Sequence, residues 1–307
     1  MPGLLTRQLL FVTGKGGVGK TTVAAALGLA AARAGRRTIV CEVGDQQRLP
    51  ALFGSGGGGQ GVEVALADGL WGTSIDPQRA LEEWLGRQLG SRQLVSVLAR
   101  SNAFQYFVAA APGARELVTI TKAWELAQSQ RWDKAARGYD LVIVDAPASG
   151  HGLGMLSTPR TFADIARVGP IAGQATRVRE FLEDSRRSGY LAVALPGEMP
   201  VAETLELEAQ LAKNLGRPLE TIVVNAVLPR RFSADELARV AAADGAVPAA
   251  ALRAARTQAA RVKVQQSQLQ RLRRHGRGDV VTLPFVFTPQ LALGDVEALS
   301  EELAKRL

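Results

Sequence analysis

The segment Gly14-Lys15-Gly16-Gly17-Val18-Gly19-Lys20-Thr21-Thr22 has the residue types and spacing of a phosphate cradle, G-x-x-x-x-G-K-[ST]. Its glycines allow backbone angles and close approaches that a Cβ would block. Successive N–H groups and the start of the following helix then present partial positive charge to phosphate. Lys20 would neutralise the β- and γ-phosphates of a nucleoside triphosphate, and the Thr21 hydroxyl would coordinate Mg2+. Such a loop needs a strand before it and a helix after it. Gln8–Val12 reads as a short buried strand, and Thr22–Arg33 as an Ala- and Leu-rich helix closed by Gly35.

A second set of reactive residues lies at Asp145-Ala146-Pro147-Ala148-Ser149-Gly150-His151. It begins with an acid at the end of an apolar run. An acid there can hold the same Mg2+ through a water, and Gly150 can let the loop respond to a γ-phosphate. Taken alone, Asp145 could equally cap the next turn. His151 is open to a switch role or to a structural one.

Around these sets, strands alternate with helices. Arg37–Val43, Gly69–Asp76, Tyr139–Asp145, Gly189–Leu195, Thr221–Ala226 and Asp279–Leu283 follow the first strand. Near-continuous apolar runs separated by helical patterns predict an α/β fold, a doubly wound and mostly parallel sheet covered on both faces. The predicted core comprises residues 1–76, 137–149 and 189–307. Residues 77–136 and 150–188 are long helical insertions, expected to rise as a layer from the carboxyl edge of the sheet, where ligands bind. Gly54–Gly61 (GSGGGGQG) reads as a flexible loop.

The chain has 307 residues, 47% of them hydrophobic and 21% charged, enough for a large buried core. No apolar run is long enough for a transmembrane segment. The first strand begins almost at the N-terminus, which leaves no room for a signal peptide. Cys41 is the single cysteine. It excludes a disulfide framework and a cysteine-based zinc or iron–sulfur site within one chain, so a cytoplasmic location is expected. The net charge of +8 is unevenly placed: 251–278 holds eight Lys/Arg and no acid, and elsewhere basic and acidic residues balance. That stretch carries no aromatic residue to stack on bases. It reads as a surface helix with a solvated basic face; a face that binds DNA is the alternative, and no nucleic-acid partner is expected from it.

The loop KGGVGKTT resembles that of the SIMIBI class of P-loop NTPases. In that class the first lysine, here Lys15, reaches across a dimer interface to the partner's nucleotide and acts as an arginine finger does. Further motifs narrow the resemblance to the arsenite-pump and tail-anchored-protein targeting ATPases, the ArsA/guided-entry family. That family's DTAPTGH-x-L-x-x-L-x-x-P is similar to Asp145–His151 with Leu153, Leu156 and Pro159. Its IDP is matched by Ile75-Asp76-Pro77, its PG-x-x-E by Pro112, Gly113 and Glu116, and its P-E…ET by Pro196, Glu198, Glu203 and Thr204. Asn225 matches its adenine-reading asparagine, although an asparagine there can also cap a turn, and Leu283-Pro284 matches its LP loop. The resemblance implies that Pro284 and Phe285 wall the adenine pocket, with Phe285 equally open to core packing.

The resemblance implies an ATP- and Mg2+-dependent ATPase. It implies a homodimer, or a heterodimer with a related chain, that closes on ATP, takes an apolar or membrane-protein client and associates transiently with the membrane. Lys15 and Lys20 would act in catalysis, Gly14–Thr22, Asn225, Pro284 and Phe285 would hold the nucleotide, and Thr21 and Asp145 the metal.

Three departures bear on this expectation. Where the family has S-T-D-P-A-H, this chain has Glu42-Val43-Gly44-Asp45-Gln46-Gln47. Asp45 stands one residue late for positioning the attacking water; failing it, Glu42 or Gln46 would have to serve, or hydrolysis is slow. Arsenite needs several thiolates, which Cys41 does not supply, so arsenite efflux is not expected. The CxxC zinc staple of the eukaryotic subunits is absent, and methionines are few for an adaptable client groove. Leu81, Trp84, Leu85, Leu89, Leu94, Leu98, Phe104, Tyr106 and Phe107 are open to either core or groove. A MinD/ParA-like positioning ATPase and a weakly hydrolysing partner subunit stay open as alternatives.

Overall fold

The computed structural model describes residues 3–44, 47–56, 59–90, 113–165, 168–242 and 248–307. Eight strands form one sheet in the order β3-β4-β2-β5-β1-β6-β7-β8. They are β1 (Leu9–Thr13), β2 (Thr38–Val43), β3 (Val64–Ala67), β4 (Leu70–Ile75), β5 (Leu141–Asp145), β6 (Ser188–Ala194), β7 (Thr221–Val227) and β8 (Asp279–Pro284). All neighbours pair in parallel except β3, which runs antiparallel to β4 at one edge. The predicted doubly wound, mostly parallel sheet is therefore observed.

The edge strand β3 is an addition to the predicted set. It is four residues long and half exposed, so its apolar pattern is weak. The turn between β3 and β4 is Asp68-Gly69, with Gly69 at φ 71°, a hairpin signal that the reading above absorbed into the next strand.

Side chains of the central strands alternate between two cores, as the period of two requires. Leu9 and Phe11 of β1 join a core on one face with Ile39, Val142, Val144 and Tyr190. That face is covered by α4 (Ala114–Leu126), α5 (Ser149–Ile165), α6 (Pro170–Glu183) and α7 (Glu198–Leu215). Leu10 and Val12 join the other core with Val40, Ile143 and Val193. There α1 (Lys20–Arg33) lies against the C-terminal helix α10 (Leu293–Ala304), whose Val296, Leu299 and Leu303 are buried.

The remaining helices are α2 (Arg48–Leu52), α3 (Pro77–Leu89), α8 (Ala234–Ala242) and α9 (Ala249–His275). Helix α3 starts where Asp76 accepts from the N–H groups of Gln78 and Arg79, with Pro77 at its first position. Behind α4, Glu125 is almost fully buried and accepts from Arg131 at 2.8 Å and Lys122 at 2.9 Å, while Arg131 also reaches Glu63 at 2.7 Å. These bonds satisfy a buried carboxylate and tie α4 to the approach to β3. Of the insertion side chains, Leu81, Trp84 and Leu85 are half-buried; Leu94, Leu98, Phe104, Tyr106 and Phe107 lie outside the described residues, as does Asp45.

Candidate active site

Parallel register brings Val12, Glu42 and Asp145 into one row at the carboxyl edge of the sheet: Val12 pairs with Asp145, and Asp145 with Glu42. The glycine loop leaves β1 at this edge and enters α1 at Lys20. Gly14 sits at φ 138°, and a Cβ built there would lie 2.3 Å from the Val193 carbonyl oxygen. Gly19 caps α1 at φ 92°, a left-handed conformation that disfavours side chains.

Inside the loop, the Lys20 Nζ donates to the Lys15 carbonyl at 2.9 Å. Burial lowers the Lys20 pKa, opposed by Asp145 and reinforced by Arg48. The Thr21 hydroxyl donates to Asp145 Oδ2 at 2.5 Å. The other oxygen, Asp145 Oδ1, is buried without a partner among the described residues. Burial accordingly raises the Asp145 pKa, although the Thr21 hydrogen bond, Lys20 and Arg48 pull it back. These residues face a cleft of about 490 Å³ whose walls also include Glu42, Arg48 and Ala146–Ala148. That volume suits a nucleotide-sized ligand.

An unpaired buried carboxylate oxygen is costly unless something polar meets it. Asp145→Asn should therefore leave the stability of the ligand-free protein unchanged, or raise it by about 1 kcal/mol, because a buried charge is removed. The same variant should lose most of its Mg2+-dependent turnover. Chemical denaturation and a turnover assay with varied Mg2+ check the two halves.

Glu42 takes a different part from the one held open for it. It is 2% exposed, and its two carboxylate oxygens accept from the backbone N–H groups of Arg48 at 2.9 Å and Leu49 at 3.3 Å. Burial raises its pKa, partly countered by those two bonds. Its carboxylate is thus engaged in holding the start of α2, which sets Arg48 on the wall of the cleft. Neither contact was read from the sequence. The available signal was a lone acid near the end of an otherwise apolar strand.

Lys15 lies within 3.1 Å of Glu203 of its own chain, with its side chain 49% exposed. The sequence singled out both residues but not their pairing. Asn225 sits against the loop: its Nδ2 donates to the Val18 carbonyl at 3.0 Å, and its Oδ1 accepts from Ala226 N at 2.9 Å. A Cβ on Gly19 would lie 2.4 Å from that Nδ2, so the close approach needs glycine. Pro284 and Phe285 are exposed at the end of β8 and do not line the cleft. Phe285 packs edge-on against Phe287, with ring centres 4.8 Å apart. His151 is exposed in the first turn of α5.

Similarity to known proteins agrees with this arrangement. Residues 7–171 match the family model described as anion-transporting ATPase. The protein named ATPase BagA of Mycobacterium tuberculosis strain H37Rv is 32% identical over 252 residues, covering 80% of this chain and 72% of that protein. ATPase GET3B of Arabidopsis thaliana is 26% identical, covering 73% of this chain and 65% of its own. ATPase ASNA1 homolog 2 of Paramecium tetraurelia is 23% identical, covering 71% and 75%. With the glycine loop, Lys20, Thr21 and Asp145 gathered at one end of a parallel sheet, and with more than half its length inside the family model, the chain belongs to the ArsA-type anion-transporting ATPases.

Proposed function

We propose that this ATPase binds MgATP in the cleft between the glycine loop and Asp145, and that hydrolysis drives a dimer through closing and opening around an apolar or membrane-protein client. One observation carries the nucleotide part: Thr21 and Asp145 meet beside Lys20, and one Asp145 oxygen is left without a partner among the described residues. One hydroxyl ligand from Thr21, with the Asp145 carboxylate one water further out, suits Mg2+, which keeps most of its shell for phosphate and water. Bound there, the ion would neutralise charge on the β- and γ-phosphates. Lys20 would exchange its bond to the Lys15 carbonyl for phosphate oxygen. The N–H groups of Gly16–Thr22 would orient the same phosphates at the positive end of α1. Asp145 would accept from a metal-bound water and Thr21 would turn its hydroxyl toward the ion.

The other roles follow the same reading. Lys15 would serve the partner subunit's nucleotide, and Asp45 would position the attacking water. Asn225, Pro284 and Phe285 would take the adenine once nucleotide enters. Residues 1–76, 137–149 and 189–307 would form the ATPase core, with 77–136 and 150–188 as the client-binding layer.

Calorimetric titration with ATP, with and without Mg2+, tests the site. Binding is expected to depend on Mg2+, and Lys20→Ala should weaken it by roughly tenfold or more, the value of one charge-assisted bond. Equal affinity of the wild type and the Lys20→Ala protein would remove the loop from the reading. Cross-linking with and without ATP then asks whether closure brings two chains together.

A further inference from the structure

Helix α9 is 27 residues long, and only Val262, Leu269 and Leu272 of it are buried. It carries Arg253, Arg256, Arg261, Lys263, Arg271, Arg273 and Arg274 and no acid. At about 100° per residue, Arg253, Arg256, Lys263, Arg271 and Arg274 fall within an arc of roughly 80° on the side away from the buried residues. The stripe is about 30 Å long at the helical rise. None of these five side chains forms an ion pair or hydrogen bond with another described residue. The stretch that looked merely basic in sequence is thus a ridge of cations without partners among the described residues.

The ridge has a built flank. Arg230 and Arg231, which follow β7, line a cleft of about 390 Å³ together with Arg256 and Lys263, and no acid lines it among the described residues. The Arg231 guanidinium lies 4.9 Å from the centre of the Phe287 ring, which is 61% exposed. The acids on neighbouring α8 are Asp235 and Glu236, and Glu236 is engaged with Ser233 at 2.7 Å. Repeated i, i+3 cations without compensating acids cost the isolated fold a few tenths of a kcal/mol per pair. A polyanion would reverse that cost.

The chemistry of the outward face selects the polyanion. A membrane-surface helix needs large apolar side chains beside its cations. Here Val264 is the one large apolar residue of the helix that is well exposed. The other exposed positions include Thr257, Ser267 and Gln270, which are hydrogen-bond donors. Arginine forks and hydroxyl and amide donors suit phosphodiester oxygens. The expectation of a merely solvated face rested on the lack of aromatic residues for stacking on bases, which contact with a duplex backbone does not require. We propose that the α9 ridge and the Arg230–Arg231 flank dock a nucleic-acid duplex through its phosphates, independent of base sequence, along about nine base pairs.

Fluorescence anisotropy with labelled DNA duplexes of about 20 base pairs, in two unrelated sequences, tests this across a range of salt. Both duplexes should bind alike, with log K falling against log salt at a slope of roughly −4.5 for five contacts. Replacing Arg253, Arg256, Lys263, Arg271 and Arg274 by Gln should weaken binding more than about tenfold and flatten the slope. If that protein loses its helical circular dichroism, Arg253→Gln/Arg256→Gln is used instead, and its slope should fall by about two. Arg33→Gln/Arg160→Gln, which removes exposed cations already paired to acids, should bind as the wild type does. No duplex binding by the wild type at low salt, or equal loss in both sets of variants, would overturn the proposal. Co-sedimentation with phosphatidylglycerol vesicles in the absence of duplex binding would overturn it in favour of a lipid surface.

Discussion

Lys15→Ala should lower ATP turnover by roughly a thousandfold, the scale of a cationic finger in phosphoryl transfer. It should do so without a matching loss of stability. The pair with Glu203 is half exposed, and such pairs contribute about 1 kcal/mol at most. The backbone carbonyl that receives Lys20 is kept by alanine. Binding of ATP to a single chain should also be preserved, so turnover and calorimetric affinity separate. If Lys15 serves the partner's nucleotide, it must leave Glu203 to do so. Glu203→Gln should then raise turnover, by no more than about fivefold given the strength of an exposed pair. Wild-type turnover by the Lys15→Ala protein would assign the lysine to the Glu203 contact alone.

Gly14→Ala should destabilise the fold by about 4 kcal/mol, combining left-handed backbone strain with overpacking. The new Cβ would sit 2.3 Å from the Val193 carbonyl oxygen, in a central strand that cannot retreat without disturbing β1 and β7. A urea midpoint measures this. Gly16→Ala provides the contrast, since a Cβ there meets nothing within 4 Å. Its stability should stay near wild type while nucleotide affinity falls, because the added methyl would occupy the space through which phosphate approaches the backbone. Gly17 lies at φ 80° with nothing within 4 Å of a built Cβ, so equal destabilisation by Gly17→Ala would show that backbone strain, rather than the Val193 clash, governs the first.

Much of the fold was readable from local pattern. Apolar runs such as Leu141–Asp145 and the Ala-rich α1 are decided over a few residues, and their alternation leaves few parallel topologies open. The edge strand Val64–Ala67 was missed because a short, half-exposed segment has almost no periodicity. At the site, Lys20 and Thr21 were legible because the cradle is a contiguous motif. Glu42 as the anchor of α2 was not, because the same acid in the same strand could face solvent, metal or backbone until burial chooses.

The chain's order of residues was sufficient for the glycine loop between β1 and α1, the parallel α/β architecture and the family, since all three rest on contiguous motifs and short-range periodicity. Which partner each charged side chain takes was settled by folding. Asp145 meets Thr21 across 124 positions of sequence, Asn225 meets Val18 across 207, and Lys15 turns to Glu203. The arginines of α9 become a ridge beside Arg230 and Arg231 once β7 and α9 are packed together. The physical reason is common to all of them. A backbone conformation is selected by neighbours along the chain, whereas the energy of a charge or a polar atom depends on what surrounds it in space, and that is known only when the layers have closed.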